Sequence, residues 1–169
     1  MVRKINSIFV TVGTTKFESL IKVIDSVEFQ KMVFESFGCS EILVQIGQGL
    51  CVPRSHHSGV EVVSYRLKPD IKKDMQNADL IITHCGAGSV MEALNISGKT
   101  VVAVVNDALM DNHQLELANA LVEKGPFLFS MAKPADLIRE LPFLDFESLV
   151  NYKSPDLTSF VDTLGEYIR

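Results

Sequence analysis

Short runs of β-branched and aliphatic residues alternate along this chain with stretches whose apolar positions recur every three or four residues. Ile5 to Val12 is such a run and predicts a first strand, ending at the turn Gly13-Thr14-Thr15. Beyond it Phe17, Leu20, Ile21 and Ile24 fall on one helix face, with Thr15 and Glu18 in the positions of a capping box. A second helix is expected from Phe29 to Phe37, stopped by Gly38. Glu41 to Ile46, Val60 to Tyr65, Leu80 to Thr83 and Thr100 to Val105 read as further strands, and Phe127 to Phe129 as a short last one. Pro69 opens a helix with Ile71, Met75 and Ala78 along one side, and another follows Gly86-Ala87-Gly88-Ser89. Asp111 begins a helix with Leu115, Ala118, Leu121 and Val122 on its face, closed by Gly125-Pro126.

Strands alternating with helices of this length imply right-handed βαβ units, hence an α/β fold with a Rossmann-like parallel sheet and helices on both faces. Ligands of such sheets sit outside the carboxyl ends of the strands. The turns at Gly13, at Gly47 to Gly49, at Gly86 to Ser89 and at Asn106 to Gln114 all follow strands, so all four are expected on one edge. The chain ends differently. Ser154-Pro155 is a helix start, and Leu157, Phe160, Val161, Leu164 and Ile168 form an apolar stripe over 155–169. That terminal amphipathic helix either packs on its own domain or docks on a partner.

Composition narrows the class. With 169 residues the chain, 1–169, reads as one domain, and the apolar share of 47% is enough to give it a core. The net charge of −5, with no basic run longer than Lys72-Lys73, speaks against a nucleic-acid binder or a polybasic membrane patch. No apolar stretch approaches the ~20 residues that span a bilayer, and Asn6 and Ser7 interrupt what would be a leader's apolar core. Three cysteines, Cys39, Cys51 and Cys85, form neither a disulfide framework nor a zinc ribbon, so reduced thiols in a cytoplasmic protein are expected.

Thr83-His84-Cys85-Gly86-Ala87-Gly88-Ser89 is the most informative stretch. Glycines between a strand and a helix let backbone amides approach an anion at a positively polarised helix N-terminus, and Ser89 adds a hydroxyl. A tight turn capped by Ser89, with Glu92 completing a capping box, fits the same residues. Gly13-Thr14-Thr15 carries the same two readings. Asn106 to Gln114 gathers amide, carboxylate and imidazole groups that suit a hydroxyl-rich ligand, or an Asp111 cap with a solvated loop before it. A dinucleotide fingerprint is only half present: Gly86-Ala87-Gly88 starts one and Asp107 lies at the expected distance, but Met91 stands at the third glycine position. His56-His57 reads as an exposed loop pair and His84-Cys85 not as a catalytic dyad. No metal cluster emerges.

In combination, Val10 to Thr15, Val44 to Gly47, His84 to Leu94 and Leu109 to Ala118 resemble the catalytic-subunit family of the two-subunit UDP-N-acetylglucosamine transferases of dolichol-linked oligosaccharide synthesis. Through it the chain is similar to the donor-binding lobe of GT-B glycosyltransferases, the bacterial lipid II glucosaminyltransferase among them. The resemblance implies that Gly13, Thr14, Gly86, Ala87, Gly88 and Ser89 surround a diphosphate, that His84 belongs to the donor-binding site and that Glu92 holds the uridine ribose. It implies that Asn112, His113 and Gln114 hold the N-acetylglucosamine hydroxyls. UDP-N-acetylglucosamine would be the substrate, with no cofactor and no metal. The acceptor would be N-acetylglucosaminyl-diphosphodolichol, and the acceptor lobe a membrane-anchored partner subunit at the cytosolic face of the endoplasmic reticulum, with the stripe from Leu157 to Ile168 as the docking element. The transfer would be inverting. Cys85 stands where that family usually has Ala, and Gln48 where a basic residue is common. An NAD(P)- or nucleotide-binding module, or a non-catalytic scaffold of the same fold, are the competing readings.

Overall fold

The computed structural model describes residues 4–106 and 113–152. Six strands, β1 (Ser7–Thr11), β2 (Glu41–Gln45), β3 (Glu61–Tyr65), β4 (Leu80–His84), β5 (Thr100–Val104) and β6 (Phe129–Met131), form one sheet in the order β3-β2-β1-β4-β5-β6. Every pairing is parallel. Six helices accompany them: α1 (Glu18–Ile24), α2 (Val27–Phe37), α3 (Lys72–Asn77), α4 (Ala87–Leu94), α5 (His113–Lys124) and α6 (Asp136–Glu140).

Strand alternation divides the core into two layers. Ile8, Val10, Ile42, Val44, Leu80, Ile82, Val102 and Val104 face Leu20, Ile21, Ile24, Phe29 and Val33 of α1 and α2. Phe9, Ile81, Val101 and Ala103 face Val90, Ala93 and Leu94 of α4 and Leu117, Ala118 and Leu121 of α5. β4 and β5 are covered on both sides and buried at every position, which is why their sequences are almost uninterrupted aliphatic runs.

Four local expectations need correction. Thr15 and Glu18 form no capping box: α1 starts behind Phe17 with no side-chain cap, Thr15 Oγ1 donates to Val12 O, and Glu18 reaches another loop. On α5 the buried stripe is Leu117, Ala118 and Leu121, while Leu115 and Val122 are 43% and 52% exposed. Ala118 and Leu121 of the expected face are buried, with Leu117 in place of Leu115 and Val122. β6 pairs with β5 in the register Val102↔Phe129 and begins at Phe129, because Phe127 turns aside to pack edge-on against Tyr152. α2 ends at Gly38 as expected, with a φ of 72°, but starts at Val27 rather than Phe29 because Ser26 caps it by accepting from Phe29 N.

The β2–β3 crossover carries no helix and is fastened instead by side chains of the α1–α2 layer. Asp25 Oδ1 accepts from Arg54 N at 2.8 Å and lies 2.9 Å from His56 Nε2. Gln30, fully buried, donates to Ile24 O and Arg54 O and accepts from His56 N and His57 N. His56 is exposed as expected, but His57 is half-buried against the Phe34 ring, 4.5 Å between centroids.

Replacing Gln30 by Ala strands backbone groups of both the crossover and α1, at a cost of about 1–3 kcal/mol in stability. Urea unfolding measures it, and a loss within a few tenths of a kcal/mol of zero would contradict the fastening role.

Candidate functional site

The sheet reverses its winding between β1 and β4: β2 and β3 are added on one side of β1, β5 and β6 on the other side of β4. The chain therefore leaves the carboxyl ends of β1 and β4 in opposite directions, and a crevice opens between the two turns. There lies a cavity of about 430 Å³, walled by Gly13, Thr14 and Thr15 after β1 and by Gly86, Ala87, Gly88, Ser89 and Glu92 after β4. His84 and Gln45 form its floor, and Leu67 to Ile71 after β3 close one side.

Counting amides changes the expected assignment of the glycines. Gly13 N donates to Thr11 Oγ1 at 3.0 Å, and Gly86 N donates to His84 O at 2.8 Å. Both are already engaged. The first backbone bond of α4 runs from Val90 N to Gly86 O, which leaves the first-turn amides of Ala87, Gly88 and Ser89 without an intrahelical acceptor. Among the described residues Thr14 N has no partner either, and the Ser89 hydroxyl makes no hydrogen bond. Four amides and a hydroxyl thus converge at a helix N-terminus carrying roughly half a positive charge. Ser89 is three residues into a helix whose N-cap is Gly86, so the capped-turn reading of Ser89 and Glu92 does not hold. Glu92, half-buried, lines the cavity with no hydrogen bond or ion pair within the described residues.

What the two glycines contribute is room for His84. A side chain at Gly86 would overlap His84 Nε2, and one at Gly13 would come within 2.9 Å of His84 Cε1. The ring is 6% exposed, and burial pushes its pKa below the ordinary value, opposed only in part by the Thr11 backbone. Among the described residues no well-formed hydrogen bond reaches the buried Nδ1. A buried polar atom without a hydrogen bond costs stability. Cys85 turns the other way: its thiol donates to Gln114 O, and burial pushes its pKa up to about 12. It is an inert packing group rather than half of a dyad.

The remaining turns of this edge are placed as follows. Every amide from Gly47 to Cys51 is satisfied within the chain, so that turn offers nothing to a ligand. Gln114 Oε1 accepts from Asn106 N at 3.0 Å, and His113 is exposed beside Glu116; both open α5 at the same edge but neither lines the cavity. Asp107, Asp111 and Asn112, and the stripe of Leu157, Phe160, Val161, Leu164 and Ile168, lie outside the described residues. Gln45 was not among the expected site residues. It is buried, and its Oε1 accepts from Thr11 Oγ1 at 2.5 Å across the β1–β2 register. A polar residue ending an aliphatic strand was the available signal. The Leu67–Ile71 wall carried none, being a mixed polar loop whose position follows only from β3 lying two strands from β1. Here Lys68 binds Asp74, which also accepts from the Tyr65 hydroxyl. Among the described residues no group of His, Cys, Asp and Glu is arranged to hold a metal ion, and no helix is long and apolar enough to cross a membrane.

Residues 7–162 match the model of the glycosyltransferase family 28 C-terminal domain. A human protein named UDP-N-acetylglucosamine transferase subunit ALG13 is 42% identical over 123 residues, 72% of this chain and 11% of its own length. A Yarrowia lipolytica protein of the same name is 40% identical over 71% of this chain and 62% of its own. The chain thus spans less than two thirds of these relatives. In fold it is similar to the solution structure of an ALG13, with a TM-score of 0.70 and 23% identity over 95% of this chain and 96% of that one. It is also similar to the crystal structure of the glycotransferase of kitacinnamycin, with a TM-score of 0.51 and 18% identity, covering 97% of this chain and 39% of that one.

His84 gives the site a pH signature. Its folded pKa is depressed, so the unfolded chain takes up the proton first as pH falls. The stability tied to the neutral ring is complete above the ordinary histidine pKa and is lost as pH drops through the folded value. Denaturation at pH 7 and pH 5 should therefore show a larger acid loss for the wild type than for His84→Asn. Equal losses would mean that the ring carries its proton as readily as a free histidine.

Proposed function

Because the chain belongs to the glycosyltransferase family 28 C-terminal domain family, we propose that it is the donor-binding lobe of an inverting N-acetylglucosaminyltransferase that uses UDP-N-acetylglucosamine. The observation that carries this reading is the group of unengaged donors at Thr14, Ala87, Gly88 and Ser89, gathered over one cavity at the reversal of the sheet. The names of the relatives point the same way, since each is a subunit of a UDP-N-acetylglucosamine transferase.

The diphosphate lies against those four amides and the Ser89 hydroxyl, with His84 beneath it. Glu92 accepts hydrogen bonds from the ribose hydroxyls. His113 and Gln114, with Asn112, hold the sugar; Gln114 keeps its amide hydrogens for this, its oxygen being occupied by Asn106. An acceptor hydroxyl attacks the anomeric carbon as the bond to UDP breaks, and the electron pair of that bond stays with the diphosphate. Donors fixed before the reaction stabilise the charge as it develops, without reorganising. The chemistry calls for no cofactor, the transferred sugar arriving on its own nucleotide. No general base is assigned to this chain. The acceptor, in this proposal, is N-acetylglucosaminyl-diphosphodolichol, presented by a membrane-anchored partner at the cytosolic face of the endoplasmic reticulum. The stripe of Leu157, Phe160, Val161, Leu164 and Ile168 is assigned to that partner.

Titration calorimetry separates the competing readings. UDP and UDP-N-acetylglucosamine should bind and NAD should not; a dinucleotide module reverses that preference, and a scaffold binds none of them. In the same titration Glu92→Ala should weaken UDP binding by about 1–3 kcal/mol. Unchanged affinity in a folded variant would remove Glu92 from the ribose.

Deleting residues 155–169 should abolish capture by the acceptor-lobe subunit while leaving UDP binding intact. A truncated chain that still assembles would refute the docking assignment.

A further inference from the structure

The β2–β3 turn has the form of an anion-binding nest, with an anion of the chain's own already in it. Leu50 N donates to Glu18 Oε1 at 2.8 Å and Cys51 N to Glu18 Oε2 at 3.1 Å. Both carboxylate oxygens are therefore used, on successive amides, from the first residue of α1. The other polar groups of the turn bind it to the cleft. Gln48 N donates to Thr15 O at 2.9 Å, Gly47 N to Arg66 O at 3.1 Å, and Arg66 Nη1 back to Gly49 O at 2.8 Å. One end of this set fixes the residue next to Thr14, whose free amide faces the cavity; the other fixes the residue before the Leu67–Ile71 wall.

We infer that Glu18 is a positioning residue for the nucleotide. By occupying the nest it holds the β2–β3 turn in the one shape that sets both the Thr14 amide and the Leu67 wall at the cleft. It also keeps a second group of backbone donors, only a few residues from the cleft along the same edge, from competing for a phosphate. Glu18 itself does not line the cavity, so it acts through Thr15 and Arg66 rather than on the ligand. The role rests on the nucleotide reading of the cleft given above.

Its test uses carboxylate rescue. In Glu18→Ala the nest stands empty, and UDP affinity by calorimetry should fall about two- to tenfold. Added formate, small enough to take the carboxylate's place, should restore most of it while leaving wild-type affinity unchanged. Glu18→Gln, which keeps one acceptor oxygen but sets an amide against the second N–H, should fall between and respond less to formate; it carries the same test if the Ala variant does not fold. Full affinity in a folded variant, or a loss that formate does not reverse, overturns the positioning role. A wild-type chain without UDP affinity removes the nucleotide reading, and this role with it; the two failures differ in whether the wild type binds.

Discussion

The site depends on the reversal between β1 and β4. Two adjacent parallel strands end side by side and the backbone leaves them in opposite directions, so neither connection can cover the gap. The first-turn amides of α4, which no helix can pair internally, border it. The two-layered core makes this tolerable. Strands β1 and β4 lie between helices on both faces, and the packing of Phe9, Val10, Ile81 and Ile82 fixes their ends without help from the turns themselves. The crevice is a by-product of topology, and the sequence at its rim decides what it is good for.

That decision is made amide by amide. Of the glycine-rich turns on this edge, the one after β2 is closed by Glu18 and by the backbone of its neighbours, whereas those after β1 and β4 are left partly open. Two glycines of the open turns, Gly13 and Gly86, are there for space: their own amides are spent on the Thr11 hydroxyl and on the His84 carbonyl, and their missing side chains accommodate an imidazole. The donors that remain belong to the less conspicuous Thr14, Ala87 and Ser89, together with Gly88. Gly13 and Gly86 thus mark close packing rather than free amides, whereas Gly88 has open space around it and an amide without an intrahelical acceptor.

Much of the fold was legible because its signals are local. The β-branched runs located β1, β2, β3, β4 and β5, Gly38 marked the end of α2, and alternation of strand and helix implied the parallel sheet. What escaped was set by partners distant in sequence. Thr15 and Glu18 have the spacing of a capping box, yet Glu18 is drawn away by amides 32 and 33 residues further on. Gln45 could be identified as a floor residue only once β1 and β2 were in register, bringing it beside Thr11. The Leu67–Ile71 wall required the strand order, which no local pattern encodes. The face of α5 was misjudged for a smaller reason: Leu115 and Val122 are as apolar as Leu117 and Leu121, and periodicity alone does not say which of two overlapping stripes meets the sheet.

His84 ties these points together. A histidine ending a buried strand would ordinarily be satisfied on both nitrogens or replaced by an apolar residue, because an unpaired polar atom in a dry core costs more than the hydrogen bond it could have made. Here Nδ1 has no well-formed hydrogen bond among the described residues, and the two flanking turns are both built with glycine where the ring needs room. Two independent concessions in backbone and side chain at one point, directly below a row of free donors, are hard to account for by packing. The outcome is an imidazole at the floor of the cavity whose charged form is disfavoured by burial.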